Sequence, residues 1–320
     1  MGHFEPRSSS VLRVSRFADV DEFRTVLRNV RVEIWPAHAG PIEAMHAALP
    51  LPDGEAYLFR SFPRIIDVGV PANRLVVGLP LNEISKEAIV NGQLLSASSL
   101  VLGRGPGSYH MIERANGFGA TLLLSSTLQD RGWPVPGRML VSFTCAAPAL
   151  AELKRVVKRA FVVASYFPSQ LASPAARLGL QEQLLVALDR AFAQVRRSDL
   201  VRALSLQTSL TIVDRIEEFL EQDLSQPIYS NELAARLHVS VRTMNTAMSK
   251  IRGMSLHRYL RVRRLWAVRR QLLAGDETTQ VKDSALANGF WHLSEFSSQY
   301  VAKFGEHPSV TLARALARRR

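Results

Sequence analysis

The order of residues from Val281 to Leu312, VKDSALANGFWHLSEFSSQYVAKFGEHPSVTL, constrains the fold of this chain more tightly than any other stretch. Val281, Ala285 and Leu286 place apolar groups on one face of a short helix. Asn288-Gly289 then supplies a turn, since glycine tolerates the positive φ that ends a helix. On a second helix Phe296, Tyr300 and Phe304 recur at i, i+4 and i+8 as one buried stripe, while Ser294, Glu295, Ser297 and Ser298 face away. Two short helices meeting at a tight turn, the second with a small polar outer face, read as a helix-turn-helix.

The same grammar occurs once before. In Ser230 to Arg252, SNELAARLHVSVRTMNTAMSKIR, Ser230 is placed to cap a helix whose inner face is Leu233, Ala234 and Leu237, and His238-Val239 forms the turn. Ser240 then caps a second helix with Met244, Ala247, Met248 and Ile251 inward and Arg242, Asn245, Thr246 and Ser249 outward. Between the two units, Tyr259 to Leu273 reads as one long helix with Leu260, Leu265, Val268 and Leu272 inward and a dense basic outer face.

This arrangement resembles the AraC/XylS family of bacterial transcription regulators, whose DNA-binding domain is two helix-turn-helix units joined by one long helix. The resemblance covers about the last third of the chain and is carried by Leu233, Ala234, Val239-Ser240 and Arg242-Thr243 in the first unit. Gly253, Ser255 and Tyr259 carry it before the long helix, and Gly289-Phe290, Phe296, Tyr300, Phe304-Gly305 and Pro308 in the second unit. The wording GFWH, FGEHPS and TL, with VKDSA upstream, is similar to regulators of ethanolamine-utilisation operons within that family. One departure is Leu256, where the family usually has proline after Ser255.

The resemblance implies that both recognition helices enter successive major-groove segments of duplex DNA. Arg242 then reaches guanine O6 and N7 in a bidentate pair, and Asn245 does likewise with adenine, with Thr246 and Ser249 on the same face. The second unit offers Leu293, Ser294, Glu295, Ser297 and Ser298, none of them a long cation. It is expected to read by short hydroxyl contacts, by Glu295 accepting from a cytosine amino group and by Leu293 against a thymine methyl. Glu295 has an alternative place facing solvent or polymerase. Ser240, Lys250, Arg258, Arg261, Arg264, Arg269 and His292 are the expected phosphate contacts.

Charge agrees with this reading. Lys plus Arg number 40 against 28 Asp plus Glu, a surplus of +12. From Val241 to Leu273 there are nine basic residues and no acidic one, as expected of a surface laid against phosphates. The run Arg318, Arg319 and Arg320 reads equally as a solvated tail or a phosphate-binding arm.

The N-terminal half has a different texture. Ala56–Phe62, Arg64–Val70, Arg74–Leu81, Ala88–Leu102 and Phe118–Ser126 are short β-branched or leucine-rich runs punctuated by Gly, Pro and Asn, which suggests an antiparallel barrel or sandwich. The family resemblance implies a cupin-like effector or dimerisation domain here. Two helices are expected over Pro148–Val163 and Ala175–Val195. In the second, Leu178, Leu185, Leu188, Phe192 and Val195, interrupted by Gln181, fit either a two-helix dimer seam or burial against the chain's own β domain. The expected fold class is α+β. Its parts are an effector and dimerisation domain over 1–195, a linker over 196–208 opening on a helix from Ser209 to Leu220, and a DNA-binding domain over 209–320.

Enzymatic readings find little support. The eight histidines contain no H-x-H pair, so a metal-bearing cupin is not expected, and neither metal nor cofactor is assigned. His110 beside Tyr109 and Glu113 reads as a strand-end histidine before a ligand contact. Gly103-Arg104-Gly105-Pro106-Gly107 reads as a wide β-turn, because no GK[ST] and helix follow it. The lone Cys145 excludes an internal disulfide and reads as a small buried residue. With no signal peptide and no long apolar run, a cytoplasmic protein without membrane association is expected. The expected function is a transcription regulator, an activator controlled by a small-molecule effector, acting as a homodimer on promoter DNA with RNA polymerase as partner. The alternatives are a ligand-independent regulator whose N-terminal domain dimerises or binds a protein, and a metabolic enzyme with an appended DNA-binding domain.

Overall fold

A computed structural model describes residues 5–24, 31–38, 41–82, 88–134, 137, 139–222 and 229–317. Arg318–Arg320 lie outside the described residues. The chain divides into two compact units, Met1–Ile34 with Pro41–Gln207, and Trp35–Gly40 with Thr208–Arg320.

The first unit is β-rich. Its strands are β1 (Arg13–Phe17), β2 (Arg31–Pro36), β3 (Ala44–Leu51), β4 (Gly54–Arg60), β5 (Arg64–Val70), β6 (Arg74–Pro80), β7 (Ala88–Val90), β8 (Gln93–Leu94), β9 (Ser99–Arg104), β10 (Gly107–Glu113), β11 (Phe118–Ser125) and β12 (Val141–Thr144), with a short helix α1 (Val20–Arg24) after β1. They form a seven-stranded sheet in the order β1-β3-β4-β11-β6-β9-β12 and a five-stranded sheet in the order β2-β5-β10-β7-β8. The antiparallel register of β11 against β4 runs from Phe118↔Arg60 to Leu124↔Gly54, and alternate residues Ala120, Leu122 and Leu124 enter the core. The run Ala88–Leu102 is thus not one strand but three, broken at Asn91-Gly92, where both residues take positive φ, and again before Ser99.

Helices α2 (Ala147–Tyr166) and α3 (Pro174–Ala193) follow β12 and pack against the seven-stranded sheet's core. Leu185, Leu188 and Phe192 are buried in that core, whereas Leu178 is exposed. Of the two readings of this stripe, burial within the chain's own unit takes those three residues. Gln181 is buried because it clamps the β3–β4 turn, its Nε2 donating to Asp53 Oδ2 at 2.6 Å and its Oε1 accepting from the Asp53 N–H at 2.8 Å. Cys145 is buried, its Sγ 3.3 Å from the Ala191 carbonyl. His110 is buried inside β10, paired with Asp67 at 2.9 Å, which places it in the ladder and not at a strand end. The stretch expected as a linker instead contains α4 (Ser198–Leu204), held to β12 through Asp199 Oδ2, which accepts from the Thr144 N–H at 2.6 Å.

The second unit is helical: α5 (Gln207–Gln222), α6 (Ser230–Arg236), α7 (Val241–Arg252), α8 (Leu256–Leu273), α9 (Val281–Ala287), α10 (Leu293–Phe304) and α11 (Pro308–Ala317). Ser230 is the first residue of α6 and Tyr229 the cap, without a side-chain hydrogen bond, so the expected Ser230 cap is displaced by one position. Helix α8 begins three residues before the expected Tyr259, because Ser255 Oγ accepts from the Arg258 N–H. Leu256, in the position the family usually gives to proline, is buried and opens the helix without breaking it.

Candidate nucleic-acid interface

The first helix-turn-helix is built from α6 and α7. Leu233, Ala234 and Leu237 bury the inner face of the first helix, and the chain reverses at His238, whose φ of 56° is an uncommon left-handed setting for a side-chain-bearing residue. The turn closes when the Val239 N–H donates to the Ala234 carbonyl at 3.0 Å, and Ser240 Oγ then caps α7 by accepting from the Thr243 N–H at 3.0 Å. Met244, Ala247, Met248 and Ile251 are buried. Arg242, Thr246, Ser249 and Lys250 are exposed, and Asn245 is half-buried. The Thr246 hydroxyl donates to the Arg242 carbonyl at 2.8 Å, so toward solvent it acts as an acceptor.

The second half repeats this with other residues. Ser284 and Ala285 are buried on α9, Gly289 turns the chain at φ 77°, and the Phe290 N–H donates to the Ala285 carbonyl at 3.0 Å. His292 occupies the cap position of α10 and makes no side-chain cap bond. Phe296, Tyr300 and Phe304 form the buried stripe. With Phe290 and Trp266 they make a ladder of rings, successive centroids 4.9, 5.6, 4.5 and 4.9 Å apart. Leu293, Ser294, Glu295 and Ser298 are exposed and Ser297 is half-buried. Ser298 Oγ donates to the Ser294 carbonyl at 3.1 Å, and Gln299 Nε2 donates to Glu295 Oε1 at 2.6 Å.

The basic run divides into two populations that sequence alone does not separate. Arg252 is fully buried, with Nη2 on Glu217 Oε1 at 2.6 Å, while Arg263 Nη1 meets Glu217 Oε2 at 2.5 Å. Arg269 Nη1 lies 2.9 Å from Glu306 Oε1, and its guanidinium stacks over Phe304 at 4.7 Å. Arg314 Nη2 and the Thr311 hydroxyl reach the same carboxylate oxygen at 2.8 Å each. Burial alone would raise the Glu306 carboxyl, but Thr311, Arg269 and Arg314 outweigh it and hold the group below the ordinary carboxylate range. Arg269, expected at phosphates, is thus engaged inside the domain with a side chain only 12% exposed. Arg258 and Arg261 are exposed, and Arg264 is half-buried. Glu217, Glu306 and Trp266 are the residues that reading the sequence missed. The only advance signal was the presence of acids 35 and 37 residues from their arginines.

Comparison with known proteins agrees with this geometry. Residues 233–314 match the helix-turn-helix domain family. Over 102 residues the chain is 34% identical to the "XylDLEGF operon transcriptional activator 3" of Pseudomonas putida, covering 32% of this chain and 31% of that protein. It is 30% identical over 102 residues to the "Probable thc operon regulatory protein" of Rhodococcus erythropolis, covering 32% of this chain and 31% of that one. The solved structure of a "probable AraC family transcriptional regulator" from Rhodopseudomonas palustris is 34% identical, with 33% of this chain and 98% of that chain covered and a TM-score of 0.32. Residues 233–314 form a helix-turn-helix domain similar to those of operon regulators. The match spans about a third of the length of these two curated relatives, both named as operon regulators. Within the helix-turn-helix domain, the exposed faces of α7 and α10 and the exposed cations of α8 make up the candidate interface.

Proposed function

We propose that the chain is a sequence-specific DNA-binding transcription regulator, an activator that works in the cytoplasm as a homodimer on promoter DNA and communicates with RNA polymerase. The observation that carries this reading is the outer face of α7. There Arg242 and Asn245, a pair suited to guanine and adenine, stand one turn apart on a helix whose opposite face is fully packed. Phosphate contacts fall to Ser240, Lys250, Arg258, Arg261, Arg264 and His292, with Arg269 left out. Selection of duplexes from a random pool by the full chain tests the reading. Enrichment of a site with two contacted segments about one helical turn apart supports it, and no enrichment overturns it.

Control by an effector is the finer part of the proposal. It is supported by a cavity of about 130 Å³ lined from both sheets of the first unit, by Val76, Gly78 and Phe118 on one side and Ala88, Val90 and Met111 on the other. Its lining is mostly apolar, with Glu113, Asn82, Asn116 and Thr121 as polar points, which suits a small, largely apolar molecule. The two-sheet unit would then serve as the cupin-like effector domain. Kinship with ethanolamine-operon regulators rests on the GFWH and FGEHPS wording, and no effector is carried over from it. A dimer through α3 would use its exposed side, with Leu178 and Val186, since Leu185, Leu188 and Phe192 are engaged within the unit. Thermal-shift screening of the full chain against small apolar compounds tests effector control. A ligand that raises the melting temperature and changes DNA affinity supports it, and a ligand-independent regulator gives neither.

A further inference from the structure

The molecule has four tryptophans, and three of them, Trp35, Trp133 and Trp266, are buried at 2%, 6% and 5% exposure. Trp291 stands 61% exposed in the turn between α9 and α10, one residue before the helix cap. Its surroundings mix apolar and charged groups, with Leu260, Phe290 and Phe296 beside the cations. It lines a cleft of about 190 Å³ with His257, Arg261 and Arg264 of α8, His292 of the turn and Glu295 of α10. The acid in that cleft is engaged along its own helix by Gln299 Nε2 at 2.6 Å. The exposed Arg261 points a guanidinium nitrogen to within 3.3 Å of His257 Nδ1, which gathers basic nitrogens on the α8 wall.

We propose that this cleft clamps the sugar-phosphate backbone of duplex DNA, with Trp291 packed on a deoxyribose face and Arg261 and His257 holding the adjoining phosphate. Deoxyribose and phosphate alternate along a strand as apolar and anionic groups, and the cleft offers an apolar ring beside cations in the same order. A flat indole needs few ordered torsions to supply a large contact area, so it fixes position at low entropic cost. The clamp answers a particular need of this chain. The outer face of α10 has no long cation to seat it, and a ring directly before its first turn sets its depth and angle in the groove. The inference rests on the DNA-binding reading and assigns Trp291 a positioning role, without base recognition.

Because the other three indoles are buried, acrylamide quenching of intrinsic fluorescence reports mainly on Trp291. The expected results with the full chain are that saturating duplex, whether selected or of random sequence, shields the quenchable emission. Trp291→Ala should keep its far-ultraviolet circular dichroism and lose about tenfold in affinity for both duplexes. The salt dependence of that binding should be unchanged, since no charge is removed. Trp291→Phe should recover part of the loss. Duplex that binds by anisotropy while Trp291 remains fully quenchable overturns the clamp and leaves the DNA-binding reading intact. So does a Trp291→Ala variant of unaltered affinity. No binding of any duplex by the unmodified chain overturns both.

Discussion

Helices α7 and α10 are each 12 residues long, each ends on a glycine in the left-handed region, at φ 62° and 70°, and each is closed from behind by a carboxylate that bridges two arginines. Their outer faces have almost nothing in common. The first presents Arg242, Asn245, Thr246, Ser249 and Lys250, and the second presents Leu293, Ser294, Glu295, Ser297 and Ser298. In each half one arginine of α8 is drawn inward, Arg263 to Glu217 and Arg269 to Glu306. The packing that makes a helix-turn-helix is therefore held by one set of residues and the proposed reading chemistry by another, so the second set is free to differ between halves.

The largest test of that separation is the removal of the bridging acids. Glu217→Ala takes the carboxylate away from the fully buried Arg252 and is expected to destabilise the domain by about 3–5 kcal/mol. Glu306→Ala leaves Arg269 stacked on Phe304 and Arg314, 43% exposed, able to hydrate, and should cost about 1–3 kcal/mol. Urea unfolding followed by circular dichroism measures both, and equal losses would break the ranking. The Glu306 carboxyl sits below its ordinary value of 4.5, so its contribution is complete above that pH and is lost as pH falls through the lowered value. Glu306→Gln should accordingly flatten the acid limb of the stability curve.

Next in size is the reading face of α7. Arg242→Ala should weaken binding to a selected site by roughly 1–3 kcal/mol and relax preference at one base pair, as measured by repeating the selection with the variant. Identical affinity and preference would mean that the first half does not read through this side chain. Smaller again is phosphate anchoring. Arg261→Ala should lower the salt slope by about one unit on selected and random duplexes alike, while Arg269→Ala should leave the slope unchanged and lower the melting temperature instead. A lowered slope for Arg269→Ala would contradict its inward assignment. The smallest expected effect is that of Glu295→Gln, which should remove a preference for one C·G pair at a cost of about 1 kcal/mol or less. Uniformly tighter binding to every sequence would place Glu295 against phosphates.

How much of this was legible beforehand depended on whether the signal was local. Gly289 at its turn, Ser240 at its cap and the Phe296, Tyr300, Phe304 stripe are fixed by residues within a turn or two of each other, and the structure has all of them. The nine basic residues between Val241 and Leu273 were legible as charge, but their division into inward and outward members was not, because a cationic side chain announces no partner. Strand β3 escaped notice since AMHAALPL is buried at nearly every position and shows no alternation. Strand β10 carries His110 and Glu113, whose partners Asp67 and Arg64 lie across the ladder on β5. Helix α4 is short, and Ser198–Leu204 has no apolar period long enough to separate it from a linker.

Helix α5 ends before the first helix-turn-helix begins, and the family match starts later still, at Leu233. Yet Glu217, the acid that neutralises both Arg252 and Arg263, belongs to it. What recombination can move intact from one regulator to another is thus larger than the part that looks like a regulator. A segment beginning at Ser230 would carry both helix-turn-helix units and abandon their counter-charge, whereas one beginning at Gln207 would keep it and leave behind Trp35, which packs on Tyr259 and Arg263. Lineages that exchange N-terminal halves should accordingly show their seams ahead of α5.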